Sequence, residues 1–211
     1  MHPALGLAIA YVAGSIPAAY LAGRLTRGID LREHGSGNLG ATNVFRVLGW
    51  KVAVPVLLFD AAKGALPVLL LPRAAETANP VAWAIAYGIA AIAGHVRPIF
   101  LLWKGGGKGV ATAAGVFLAL APLSLLVVTV LFAGVLWTSG YVSLGSLVAA
   151  AALPLAVLVE KGTHSPVLWV SIPVALFVFW THRANIRRLR RGEEHRFGRK
   201  KPAATAPGAG R

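Results

Sequence analysis

The chain has no cysteine, so it holds no disulfide frame, no thiolate metal site and no thiol nucleophile. It is almost as poor in acid: seven Asp and Glu stand against 21 Lys and Arg. Only 13% of its 211 residues are charged, where soluble domains carry roughly 25%. No His/Asp/Glu cluster has metal-ligand spacing, and no Ser-His-Asp signature is present. The glycine run Lys104-Gly105-Gly106-Gly107-Lys108-Gly109 is not a nucleotide-binding P-loop. Leu102 stands where that motif needs its first glycine, and Gly109 follows the lysine in place of Ser or Thr, which excludes ATP hydrolysis of that kind.

What the chain does have is apolar length. It is 56% hydrophobic with a mean hydropathy of +0.67. The net charge of +14 would suit nucleic acid, but ten of the 21 basic residues lie from Arg183 onward and most of the others flank apolar runs. That is the charge pattern of membrane topology rather than of a nucleic-acid-reading face. The fold class expected is an all-α integral membrane protein. Apolar runs fall at 4–23, 52–71, 81–102, 110–137, 141–159 and 165–182. The first has no basic signal-peptide n-region and reads as a retained helix, kinked at Ser15-Ile16-Pro17.

The run 110–137 is too long for one comfortable span, and Pro122 sits near its middle. Parity decides how to divide it. The loop 24–51 and the tail are both strongly basic and belong on the cytoplasmic side, which demands an even number of crossings between them. Splitting at Pro122 into halves of about 12 and 15 residues, short for a ~30 Å core, provides that number. Seven spans follow, with the N-terminus outside and the C-terminus cytoplasmic. Residues 1–198 are expected to form a single transmembrane domain, and 199–211, rich in Ala, Pro and Gly, read as a disordered tail.

Three polar segments then gather at one face. The first is Gly35-Ser36-Gly37-Asn38-Leu39-Gly40-Ala41-Thr42-Asn43, closed by Arg46 and Gly49. Its glycines allow close backbone approach, and its N–H groups can cradle an oxyanion beside the Arg46 fork. The second is Gly94-His95 with Lys104 to Thr112, where Lys108 precedes an apolar helix start and adds its charge to a helix N-terminus. The third is His182-Arg183-Ala184-Asn185, continuing to Arg187, Arg188 and Glu194, with His182 and Asn185 on one helix face. Arg187, Arg188, Arg190 and Arg191 read as lipid-headgroup anchors. Asp60 and Lys63, three apart inside an apolar run, read as an intramembrane ion pair or a polar path, and His34 as a solvated loop residue.

Taken in order, these segments resemble the three signature motifs of the bacterial acyl-phosphate:glycerol-3-phosphate acyltransferases of the PlsY type. The resemblance covers the chain to about Gly198. Two departures are Arg97, where the family commonly has an aromatic or apolar residue, and one extra glycine between Lys104 and Lys108. The resemblance implies transfer of an acyl group from acyl phosphate to the 1-hydroxyl of sn-glycerol 3-phosphate. The products would be 1-acylglycerol 3-phosphate (lysophosphatidic acid) and phosphate, in the first acylation of phospholipid synthesis. It implies catalytic residues Ser36, Arg46, Lys108, His182 and Asn185. It implies substrate-binding residues Gly37, Asn38, Gly40, Thr42, Asn43, Gly106, Gly107, His95 and Glu194. No cofactor, metal or nucleic-acid partner is implied. The expected setting is a multi-pass monomer in the cell (inner) membrane with its site facing the cytoplasm. The rival reading is a transporter of a phosphorylated metabolite. Against it, the first motif has no repeat in the second half, and the polar groups gather at one face and not at the midplane. A membrane scaffold would explain the basic tail but not the 35–49 loop.

Overall fold

The computed structural model describes residues 1–197, and every regular element in them is helical. The order is α1 (Pro3–Ser15), α2 (Ala18–Arg27), α3 (Ala41–Leu48), α4 (Trp50–Ala74) and α5 (Pro80–Val96). There follow α6 (Val110–Leu120), α7 (Pro122–Ser139), α8 (Val142–Lys161), α9 (Pro166–Thr181) and α10 (Arg183–Arg190). Five helical runs are long and apolar enough to cross a membrane: α1 with α2, α5 with the 3-10 turn Ile99–Leu101, and α4, α7 and α8. The pair α9 and α10, bent by 58°, makes a sixth. The tail expected at 199–211 lies outside the described residues.

Local chemistry explains the boundaries, including those that differ from expectation. The first run is broken, not kinked: α1 stops at Ser15 because Pro17 offers no N–H, and Ile16 turns to extended backbone before α2 begins. The third run, 81–102, spans Pro80 to Leu101, and within it α5 ends at Val96 because Pro98 follows Arg97 and disfavours its helical conformation. The 110–137 run does break where proline demanded, with Pro122 as first residue of α7. The halves are unequal, however, at 11 and 18 residues, because α7 continues to Ser139. At about 16 Å, α6 is far shorter than a ~30 Å apolar core.

Glycines set how closely the helices pack. A Cβ on Gly14 would lie 2.1 Å from the Ala91 carbonyl oxygen, and one on Gly94 would lie 2.2 Å from that of Tyr11, so α1 and α5 meet backbone to backbone. Gly64 and Gly115 do the same for α4 and α6. This is how helices associate in lipid, where apolar side chains gain little by leaving one apolar medium for another. Gly115→Val should therefore cost about 3 kcal/mol or more, because its Cβ would sit 1.8 Å from the Ala61 carbonyl, which is backbone and cannot move aside. Gly134→Val on α7, where nothing lies within 4 Å, is the control and should leave thermal unfolding in detergent nearly unchanged.

Candidate active site

The glycine loop is held in shape by Asn43, which is buried in the first turn of α3. Asn43 Oδ1 accepts from the Ser36 N–H at 2.8 Å, and its Nδ2 donates to the carbonyls of His34 at 3.0 Å and Leu31 at 3.3 Å. The loop bends through Gly35 and Gly37, both at positive φ of 65° and 70°. At Gly35 a Cβ would strike Asn43 Oδ1 at 2.3 Å. Asp30 braces the approach, its carboxyl held at about 2 by the hydrogen-bonded Arg32 guanidinium against the opposing effect of burial. His34 is exposed, as expected.

The Ser36 and Gly37 N–H groups are thus engaged within the loop, the latter on the His34 carbonyl. The N–H groups of Asn38, Leu39, Gly40, Ala41 and Thr42 have no acceptor among the described residues. They form the open N-terminus of α3. Those of Gly109, Val110 and Ala111, at the start of α6, are equally open. Both first turns line one cavity of about 670 Å³. The cavity receives two helix N-termini, each with a partial positive charge and free donors.

Lys108 stands between them, half-buried, and donates to Asn185 Oδ1. The other end of that amide donates to Glu194 Oε1 at 2.7 Å. Ser143 reaches the same oxygen at 3.1 Å, and Arg188 Nε meets Glu194 Oε2 at 2.7 Å. Burial alone would raise the Glu194 pKa, but hydrogen bonds from Asn185 and Arg188 outweigh it and hold the pKa below the usual carboxylate range. Burial lowers Lys108 to about 8, with Arg188 and Arg46 pushing the same way and Glu194 opposing. The Arg46 fork has no hydrogen-bond acceptor among the described residues and faces the cavity with its donors free. His182 lies at the bend between α9 and α10, its Nδ1 2.8 Å from the Val178 carbonyl. A proton there leaves Nε2 as an acceptor.

The structure therefore gathers Ser36, Gly37, Asn38, Gly40, Thr42, Asn43, Arg46, His95, Lys108, His182, Asn185 and Glu194 around one cavity. Gly106 and Gly107 are not on its wall. They pack behind Lys108, where added Cβ atoms would lie 2.1 Å from the Val96 carbonyl and 2.0 Å from His95 Nε2. Lys104 is exposed and off the cavity. Arg188 corrects the reading of the basic tail as headgroup anchors. Gly192, at φ 69°, reverses the chain after α10 and folds Glu194 back onto Arg188, while Arg187, Arg190 and Arg191 stay exposed. Ser143 was missed because a lone serine in an apolar run carries no local signal. Beyond the polar end the cavity continues between α6, α7, α8 and α9, walled by Phe117, Val128, Phe132, Leu153 and Val174.

Comparison with known proteins adds an independent finding. A family profile described as glycerol-3-phosphate acyltransferase matches residues 4–192. A glycerol-3-phosphate acyltransferase of Geobacter sulfurreducens is 50% identical, over 90% of this chain and 95% of that protein. One of Chlorobaculum tepidum is 41% identical, over 92% and 97%. Among solved structures, PlsY, described as an integral membrane glycerol 3-phosphate acyltransferase in its glycerol 3-phosphate form, superposes with a TM-score of 0.85. It is 38% identical, over 93% of this chain and 96% of that one. Its lysophosphatidic acid form gives 0.83.

Proposed function

The chain belongs to the glycerol-3-phosphate acyltransferase family, and from that premise we propose that its acyl donor is an acyl phosphate. The observation that carries this is the pair of free helix N-termini, α3 and α6, on one cavity with Arg46 and Lys108 between them. Two anion sites side by side suit two phosphate-bearing substrates, one soluble and one with an acyl chain. The apolar extension of the same cavity supplies a slot for that chain.

In this reading Ser36 and the N–H groups of residues 38–42 hold the acyl-phosphate phosphoryl group, with Asn38, Gly40 and Thr42 on the wall. Arg46 and Lys108 neutralise phosphate charge. Asn185, held by Glu194, orients Lys108, and His182 Nε2 accepts from a glycerol hydroxyl. The 1-hydroxyl oxygen attacks the acyl carbonyl carbon, the bond from that carbon to the phosphate oxygen breaks, and the hydroxyl proton leaves with the departing phosphate. A mixed anhydride carries a good leaving group, so no protein nucleophile is required. The products are 1-acylglycerol 3-phosphate and phosphate.

The topology that fits is seven crossings, counting α6 as a part-way span, with the N-terminus outside and the site on the cytoplasmic side of the inner membrane. The basic loop and basic tail support that sidedness, and a monomer suffices because one chain encloses the cavity. Arg46→Lys should lower kcat/KM for glycerol 3-phosphate about tenfold or more, since charge survives but the two-pronged fork does not. Wild-type rates in that variant would remove Arg46 from the phosphate site.

The deciding experiment uses purified protein in a lipid phase with acyl phosphate and glycerol 3-phosphate, following phosphate release. Release that requires glycerol phosphate and is lost in Ser36→Ala and Lys108→Met is the expected result. Transfer from acyl-CoA alone would overturn the donor assignment. Counterflow of labelled glycerol phosphate in proteoliposomes without acyl transfer would favour the transporter reading.

A further inference from the structure

At the edge of the cavity lies a second polar cluster that no step above uses. Asp60 and Lys63 are buried one turn apart on α4, with Lys63 Nζ 2.8 Å from Asp60 Oδ1. The same ammonium donates to the Ile16 carbonyl at 2.9 Å, at the break between α1 and α2. His95, on α5, brings Nδ1 to 3.5 Å from the same Asp60 oxygen. Neither carboxylate oxygen has a well-aligned hydrogen bond among the described residues. An ion pair inside a membrane bundle is costly to bury, and an apolar pair would pack there more cheaply. A carboxylate set between an ammonium and an imidazole nitrogen has a further task.

The far side of the His95 ring points to that task. Gly107 packs directly on Nε2, where a Cβ would fall at 2.0 Å, and its N–H donates to the His95 carbonyl at 3.2 Å. Asn38 Nδ2 reaches the neighbouring Gly106 carbonyl at 3.4 Å. The ring is thus wedged between Asp60 and the segment that ends in Lys108. Asp60 also borders the cavity, but a carboxylate is a poor contact for a phosphate. We propose that Asp60 is a positioning residue: by holding the His95 ring it sets the Gly106–Lys108 segment, and with it the ammonium, against the substrate phosphate. Lys63 neutralises Asp60 and ties the same point to the α1–α2 break. The inference rests on the phosphate-binding task given to Lys108 above.

The test reads a pH profile, which a merely structural fault would not shift. Arg46 on α3, His182 at the α9–α10 bend, Arg188 on α10 and Glu194 beyond it are the charged and titratable groups around Lys108. In wild type, kcat/KM for glycerol 3-phosphate should fall as pH rises through about 8. Asp60→Asn should lower kcat/KM by about 10- to 100-fold and move that limb up toward the ordinary lysine value of about 10.4, as the loosened segment lets water reach Lys108.

The double variant Asp60→Asn with Lys63→Met removes both charges. It should regain the wild-type melting temperature yet keep the lowered rate and the shifted limb. If it regains wild-type rate and limb, Asp60 is only a counter-ion and the proposal falls. A wild-type limb in Asp60→Asn overturns it equally. Should neither variant fold, Gly107→Ala keeps Asp60, Lys63 and His95 and pushes the ring from its place. The same shift is expected there, and wild-type kinetics would reject the idea. If wild type transfers from neither acyl phosphate nor acyl-CoA, the site reading has failed instead. Calorimetric binding of glycerol 3-phosphate against pH on the same variants then decides the positioning question by itself.

Discussion

Lys108→Met should lower kcat/KM for glycerol 3-phosphate about 10³-fold, the scale of losing one preorganised charge donor at a developing anion. Methionine keeps the apolar stem, so the loss isolates the ammonium. It also leaves Asn185 Oδ1 without its donor inside a partly buried network. Arg46 and Arg188 remain at the cavity, so some phosphate affinity survives. The pH dependence follows from the same group. Burial has lowered Lys108 to about 8. The ammonium is present below that pH and is lost above it, so activity falls on the alkaline side. The phosphate groups titrate near pH 6 and are dianionic around pH 8, so they do not produce the alkaline limb. Lys108→Arg, charged at every accessible pH, should show reduced activity at neutral pH and no limb near 8. Initial rates between pH 6 and 10 check all three statements, and a Met variant within tenfold of wild type would remove Lys108 from the chemistry.

The second large effect is expected at Asn43, through a different physical route. Asn43→Ala deletes three hydrogen bonds at once and leaves the Ser36 N–H and two carbonyls short of partners in a partly buried setting. A cost of about 2–4 kcal/mol follows, together with an activity loss on the order of 10²-fold as the glycine loop loses its shape. Amide hydrogen exchange separates a loop clamp from a direct substrate contact. In Asn43→Ala the Ser36 and Gly37 amides should exchange faster without any substrate present. Thr42→Ala, on the cavity wall one residue earlier, should lower activity and leave those amides protected. Unchanged exchange in Asn43→Ala would mean that the amide meets substrate directly.

The contrast between Thr42 and Asn43 bears on what can be read from a chain. Both stand in the same motif, and the motif marks both as polar groups at a ligand loop. Both border the cavity, and only the fold ties Asn43 by three hydrogen bonds onto residues 31–36. Arg188 makes the same point in reverse. Among four arginines in five residues, composition favours lipid headgroups for all of them. The reversal at Gly192 brings Glu194 back to one of the four and draws it into the site. Asp60 and Lys63 were legible as an ion pair because they lie one helical turn apart. His95, 35 residues away, joined them only in three dimensions.

By itself the sequence determined the helical membrane class, the positions of most helix ends and the three polar segments. Each rests on interactions within a few residues: apolar runs long enough for lipid, prolines that cannot donate, glycines that can reverse. The break at Pro122 and the open helix start after Lys108 belong to that class. Tertiary structure alone decided that the N-termini of α3 and α6 open onto one cavity, and that Asn185 and Glu194 face Lys108. It also decided that Gly106 and Gly107 serve packing behind the wall. Those outcomes depend on groups 68 and 77 residues apart meeting at hydrogen-bond range. No local periodicity encodes that; close glycine-mediated contact between whole helices does.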